Sequence, residues 1–337
     1  KGSPKIGFLG EYDALPGLSQ KVSTEKEAIV AGAPGQGCAH NLLGVACVGA
    51  VLGMKAELEA TGKEGTVVFY GCPAEEVLTG KAFMAREGAF ADLDAASSWH
   101  GSTTNHVTLG TMTGLNSAVF HFHGITAHAG GDPHNGRSAL DAVEIMDIGV
   151  NFMREHMIDA ARIHGAITNS GGIAPNVIPS EAQVLYAIRA PKVTQVKKLY
   201  ERMCDIAQGA ALITGTTVDI RQVAAYSNVI RNETLEDVMD AHLRHFVPIG
   251  YTEEEKAYAA KFKEVITELD KEGLKNAISR IASKDEKQAV MGMSLFDFVI
   301  DKNANTGGGG STDVGDVSWV VPTGQVSVVT CAAGTAF

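Results

Sequence analysis

The chain has 337 residues, enough for about two domains of ordinary size and for a sizeable core. Hydrophobic residues make up 45% and charged residues 20%, which excludes a disordered, coiled-coil or collagen-like chain. The 28 basic and 39 acidic residues leave a net charge of -11 with no basic block, so neither a nucleic-acid nor an anionic-membrane partner is expected, and a small-molecule partner is.

In chain order, Lys5–Gly10 reads as a strand, Ala39–Ala60 as a helix and Gly65–Tyr70 as a second strand. A helix near Lys81–Glu87 and a strand near Ala95–Trp99 follow. The longest apolar run, Leu42–Met54, falls short of the ~20 residues needed to span a bilayer and predicts a buried helix. Strands alternating with helices predict an α/β class with a mostly parallel sheet flanked by helices.

The pattern changes near Gly114. Ser117–His123 alternates like a two-faced strand, Ser138–His156 is helical, Val177–Arg189 extended, Val193–Leu212 helical and Thr217–Val223 extended. This block predicts an α+β insert. Charged amphipathic helices over Asn232–His245 and Thr252–Glu272 and a last apolar strand over Gln325–Cys331 complete the chain. Asn303–Gly310, with four consecutive glycines, predicts a flexible loop. The predicted division is therefore 1–114 and 226–337 as one split domain, with 115–225 inserted.

Five cysteines, Cys38, Cys47, Cys72, Cys204 and Cys331, are scattered without CxxC pairs, which favours a reducing compartment, the cytoplasm, over a disulfide framework. No signal peptide is visible, but the chain starts at Lys1 without Met and enters its first strand pattern within six residues, so further chain is expected before it.

Cys38, His40, Glu75, Glu76 and His100 each fall at a predicted strand end or helix start, where α/β enzymes keep their ligands. A thiolate, two imidazoles and a carboxylate suit zinc or a similar first-row ion, and a second, adjacent carboxylate suits a proton acceptor. Each member alone has a structural reading: Glu75 and Glu76 can decorate a helix start, and His100 can hydrogen-bond the backbone. In the insert, the glycines around His128 allow close approach of a ligand or simply a tight loop. Asn176 and Arg189 bracket a strand, and Arg189 can hold a carboxylate or a surface ion pair. His121 and His123 alternate on one strand face, but their sequence neighbours supply no acid, so they read as structural. A phosphate-binding loop, a dinucleotide fingerprint and a GxSxG elbow are all missing.

Taken together, Glu11-Tyr12-Asp13-Ala14-Leu15-Pro16, Gly37-Cys38-Ala39-His40-Asn41, Pro73-Ala74-Glu75-Glu76, Trp99-His100, the Gly124–Ser138 stretch, Asn176 and Arg189 resemble, in order, the dinuclear-metal amidohydrolases and carboxypeptidases related to aminoacylase and hippurate hydrolase. The stretch Ser311–Ser318 most resembles the p-aminobenzoyl-glutamate hydrolase B-subunit group. The resemblance implies that Cys38, His40, Glu76 and His100 bind two divalent ions, zinc or manganese. It makes Glu75 the general base and acid, His128 an oxyanion stabiliser, Asn176 and Arg189 the carboxylate anchors, and Asp13 an orienter of a metal ligand. It also implies a peptidase-type dimerisation insert, with a homodimer, or a hetero-oligomer with a related subunit, as the assembly.

The function so implied is metal-dependent hydrolysis of the amide bond of an N-acyl or N-aroyl amino acid such as p-aminobenzoyl-glutamate. The alternatives are a dipeptidase or other deacylase of the same fold, or a catalytically impaired metal-binding or partner subunit. One departure stands out, since the family carries another metal-binding histidine near its C-terminus, whereas the last histidine here is His245. The resemblance places that histidine just after Phe337 and an opening helix and strand before Lys1, so this exact chain is expected to be clipped at both ends and weakly active.

Overall fold

The computed structural model describes residues 2–77, 79–107, 112–281, 287–302 and 310–335. The predicted loop over 303–310 lies outside them apart from Gly310. The chain separates into two compact units: Lys1–Thr111 with Ile230–Gly309 and Asp316–Phe337, and Met112–Val229 with Gly310–Gly315.

The first unit is built on a five-stranded sheet. Its strands are β1 (Lys5–Glu11), β2 (Thr66–Cys72), β3 (Ala95–Ser102), β4 (His106–Val107) and, after the second unit, β9 (Thr323–Val329), in the order β2-β1-β3-β9-β4. All neighbours are parallel except β4, which runs antiparallel to β9. β1 lies inside the sheet and carries the apolar run of such a position, with Leu9 fully buried. The crossover helix α1 (His40–Thr61) ends at Gly62, whose φ of 66° is the left-handed C-cap that a side chain would strain.

The expectation that α1 is buried is corrected. It is long and apolar enough to cross a membrane by length and composition, yet it buries only His40, Leu43 and Cys47, and leaves Val45 and Leu52 exposed at 74% and 60%. Periodicity reports that a face is apolar, not what covers it. The buried stripe holds the helix to the sheet: the Cys47 thiol donates to the Leu9 carbonyl, and the Trp99 indole N–H of β3 donates to the Leu43 carbonyl.

The predicted helix over Thr252–Glu272 is two helices, α6 (Glu253–Val265) and α7 (Glu268–Ile281), after α5 (Glu233–Phe246). Thr267 starts a new helix instead of continuing the first: its hydroxyl accepts from the Asp270 N–H, and Asp270 accepts from the Thr267 N–H. That reciprocal pair outcompetes helix continuation.

The second unit is an antiparallel sheet of β5 (Gly114–His123), β6 (Arg162–Asn169), β7 (Glu181–Ala190) and β8 (Thr217–Tyr226), in the order β6-β7-β5-β8. The helices α3 (Ala139–Met153) and α4 (Val193–Thr214) cover one face. Phe120 and Phe122 of β5, with alternate residues of β7, form the core against Met146, Val150, Met203 and Ala207. Sequence reading missed β6, because its residues other than Ile163 are exposed and carry no apolar alternation. Among the described residues β6 pairs with β7 only, so its other edge is open.

Candidate metal centre and active-site residues

In the first unit the carboxyl ends of parallel strands deliver the side chains, as expected for an open α/β sheet. Glu11 ends β1, His100 lies near the end of β3, His40 opens α1, and Glu75 and Glu76 follow β2. Two backbone positions set their directions. Ala39, between Cys38 and His40, has φ 58°, and Ala74, before Glu75, has φ 60°. Left-handed backbone at a non-glycine residue costs about 1–2 kcal/mol, and such strain clusters where side chains have to be aimed.

His40 is fully buried at the centre of the cluster. Its Nδ1 lies 3.1 Å from Asp13 Oδ1, and its Nε2 lies 3.3 Å from Glu11 Oε2 and 3.9 Å from Glu75 Oε2. Glu76 Oε1 stands 3.9 Å from His40 Nδ1, while the Glu76 N–H donates to Asp13 at 2.9 Å. Asp13 therefore orients both His40 and the Glu75-Glu76 turn. His100 Nδ1 faces the Gly101 carbonyl at 2.7 Å, leaving Nε2 3.3 Å from Cys38 Sγ. Each ring thus has an acceptor at Nδ1, which places the proton there and turns the Nε2 lone pair inward, the arrangement of a metal-ligating histidine.

Cys38, His40 and His100 offer donor atoms within 4.8 Å of one another, and so do Glu11, His40 and Glu75. His40 Nε2 and Glu76 Oε1 are buried without a hydrogen-bond partner. Buried polar atoms are rarely left so, and here they face soft and borderline donors. The residues present therefore fit a divalent-metal site. Burial, and then the carboxylates of Glu76, Glu75, Glu11 and Asp13, push the Cys38 thiol up to about 12. Burial likewise raises the Glu76 carboxyl, against the opposing pull of His40.

Two participants carry no role in the sequence reading. Glu11 is 2% exposed, and Lys81 of α2 (Gly80–Arg86) is fully buried with Nζ 2.6 Å from Glu11 Oε1. Glu11 was visible within the Glu11–Pro16 motif. Lys81 had no signal, since nothing local distinguishes it from a solvated helix lysine.

The remaining candidates belong to the second unit. His128 is exposed, and its Nδ1 accepts from the N–H groups of Gly130 and Gly131 at 3.2 and 3.0 Å. Nε2 must then carry the proton, making His128 a neutral donor. The strand exit is tight: a Cβ at Gly124 would lie 2.0 Å from the Arg137 carbonyl oxygen. Asn176 is exposed and pairs through its carbonyl with the Ala129 N–H. Arg189 is half-buried on β7 and donates to the Ser311 hydroxyl. Among the described residues no carboxylate lies within ion-pair distance of Arg189.

Residues 111–213 match the peptidase dimerisation domain. The chain is 44% identical to the B component of p-aminobenzoyl-glutamate hydrolase from Escherichia coli strain K12, over 99% of this chain and 71% of that protein. It is 37% identical to the mouse Xaa-Arg dipeptidase over 68% of this chain, spanning about half of that protein, 50%. A dinuclear-metal-binding M20 peptidase from Bacillus subtilis has a similar fold, with TM-score 0.55 and 17% identity over 97% of this chain and 72% of that one. The ordered motifs, the antiparallel insert and these likenesses establish that the chain belongs to the M20 family of metal-dependent amide-bond hydrolases.

Proposed function

We propose that the chain cleaves the amide bond of an N-acyl or N-aroyl amino acid, with p-aminobenzoyl-glutamate as the first substrate to test. The observation that carries this reading is the buried His40, whose orphaned Nε2 is ringed by Glu11, Glu75 and the Cys38–His100 pair. Cys38, His40, Glu76 and His100 would hold two divalent ions, zinc or manganese. Bound there, the ions would acidify a water and polarise the amide carbonyl.

The protein's own groups do the rest. Glu75, 8% exposed, accepts the water's proton and passes it to the leaving nitrogen. Asp13 holds His40 in its ligating tautomer. His128, with its proton on Nε2, would reach a neighbouring subunit's active site and donate there to the developing oxyanion. Arg189, lacking an acidic partner among the described residues, and Asn176 bind the substrate's carboxylate.

The open edge of β6 supports pairing with a second copy about a two-fold axis, giving a homodimer. The likeness to a protein named as one component of a multi-component hydrolase supports a hetero-oligomer as the alternative assembly. Among the described residues no two cysteines are joined in a disulfide, in keeping with a cytoplasmic location. Glu75→Gln should lower turnover of p-aminobenzoyl-glutamate by about 10²–10⁴-fold, the usual share of general-base catalysis, and leave bound metal unchanged. Retained turnover would remove Glu75 as the base. A panel that adds Xaa-Arg dipeptides and other N-acyl amino acids then separates the dipeptidase reading.

A further inference from the structure

The sheet face of the second unit that α3 and α4 leave uncovered carries two histidines and two acids from three strands. β5 sends Phe120 and Phe122 into the core, so His121 and His123 point to the opposite face. In the sheet register His123 lies opposite Glu181 of β7, and His121 lies opposite Asp219 of β8. Their chain neighbours supply no acid; the neighbouring strands supply two.

The two imidazole rings stand 4.1 Å apart, centroid to centroid, and tilted by 46°. His121 Nε2 is 3.6 Å from Glu181 Oε2, and His123 Nδ1 is 4.0 Å from Glu181 Oε1. On its far side His123 Nε2 meets Asp219 Oδ2 at 3.1 Å. That contact places a proton on Nε2 and leaves the Nδ1 lone pair facing Glu181, the carboxylate–histidine support found behind metal ligands. His121 Nε2 is buried and makes no hydrogen bond. The donor atoms of His121, His123 and Glu181 lie within 4.8 Å of one another.

From this juxtaposition we infer that His121, His123 and Glu181 form a site for one borderline divalent ion such as zinc, oriented by Asp219. Two imidazoles and a carboxylate are zinc-type ligands, poor for calcium or magnesium, and a water completes four-coordination. Bonds of about 2.1 Å set tetrahedral donors roughly 3.4 Å apart, so closing the site takes only side-chain rotation. The bound ion ties β5 to β7 directly and to β8 through Asp219. The inference is independent of the catalytic reading, because none of these residues belongs to it.

The test is a zinc titration of the metal-stripped protein against a chromophoric chelator, comparing wild type with H121N/H123N, with E181Q and with D219N. Both ligand variants should bind one zinc fewer per chain, and D219N should bind that zinc about 10–100-fold more weakly. Zinc should also raise the melting temperature of wild type more than that of E181Q. Equal stoichiometry in wild type and E181Q would overturn the inference. E181Q alone decides the matter if H121N/H123N does not fold, since Glu181 is exposed and its loss leaves the core untouched. Anomalous scattering at the zinc edge should peak between His121 Nε2 and Glu181, and its absence from zinc-soaked crystals would equally count against the site.

Discussion

Replacing Lys81 with methionine removes an ammonium group and keeps most of the stem. Lys81 is fully buried, and its Nζ sits 2.6 Å from a Glu11 carboxylate whose side chain is 3% exposed. Breaking a buried ion pair from one side costs about 3–5 kcal/mol, because the remaining charge stays out of water without its partner. Methionine keeps the packing of the lysine stem, so the expected cost is at the low end, about 3 kcal/mol. At roughly 2–4 °C per kcal/mol for a unit of this size, the melting temperature should fall by about 6–12 °C. Thermal unfolding followed by circular dichroism, with urea unfolding as a check, reads this directly. Adding Glu11→Gln removes the stranded charge, so E11Q/K81M should be more stable than K81M. A loss below about 1 kcal/mol for K81M, or a double variant no better than the single one, would refute the buried-charge argument.

Three further expectations concern the centre itself. At Ala74 the left-handed backbone should make Ala74→Val less stable than Ala74→Gly by about 1–2 kcal/mol in urea unfolding; equal stability would show that the residue is unstrained. Because the Cys38 thiol is pushed up to about 12, metal uptake at neutral pH has to displace its proton, and affinity should climb about tenfold per pH unit from this group. Cys38→Asp, already ionised, should flatten that slope by one proton, which titrations at several pH values would reveal. The raised Glu76 carboxyl binds its proton more tightly folded than unfolded. Its stabilisation is therefore complete below about 4.5, the ordinary value, and is lost as pH rises through the folded value. Metal-free Glu76→Gln should lack this decline in stability-versus-pH curves, and an unchanged decline would assign it to another group.

Much of the centre was legible because its residues sit at strand ends and helix starts, which periodicity locates. Cys38, His40, Glu75, Glu76 and His100 fall at such positions, and the structure gathers them around His40. Asp13 was legible as an orienter only through the resemblance, and the structure adds that it serves His40 and the Glu76 N–H at once.

The sequence by itself determined the alternation of strands and helices, the α+β insert and the chemical kinds of side chain brought to each strand end. Hydrophobic period and local turn chemistry act over a few residues, and these features depend on nothing longer. The tertiary structure alone decided which side of α1 is covered, that Thr267 restarts a helix, that the exposed β6 is a strand, and that Lys81 neutralises Glu11. It also decided that His121 and His123 face acids 58 or more residues further along the chain, Glu181 and Asp219. Each of these rests on contacts between segments far apart in sequence, set by sheet register and burial, which no local pattern encodes.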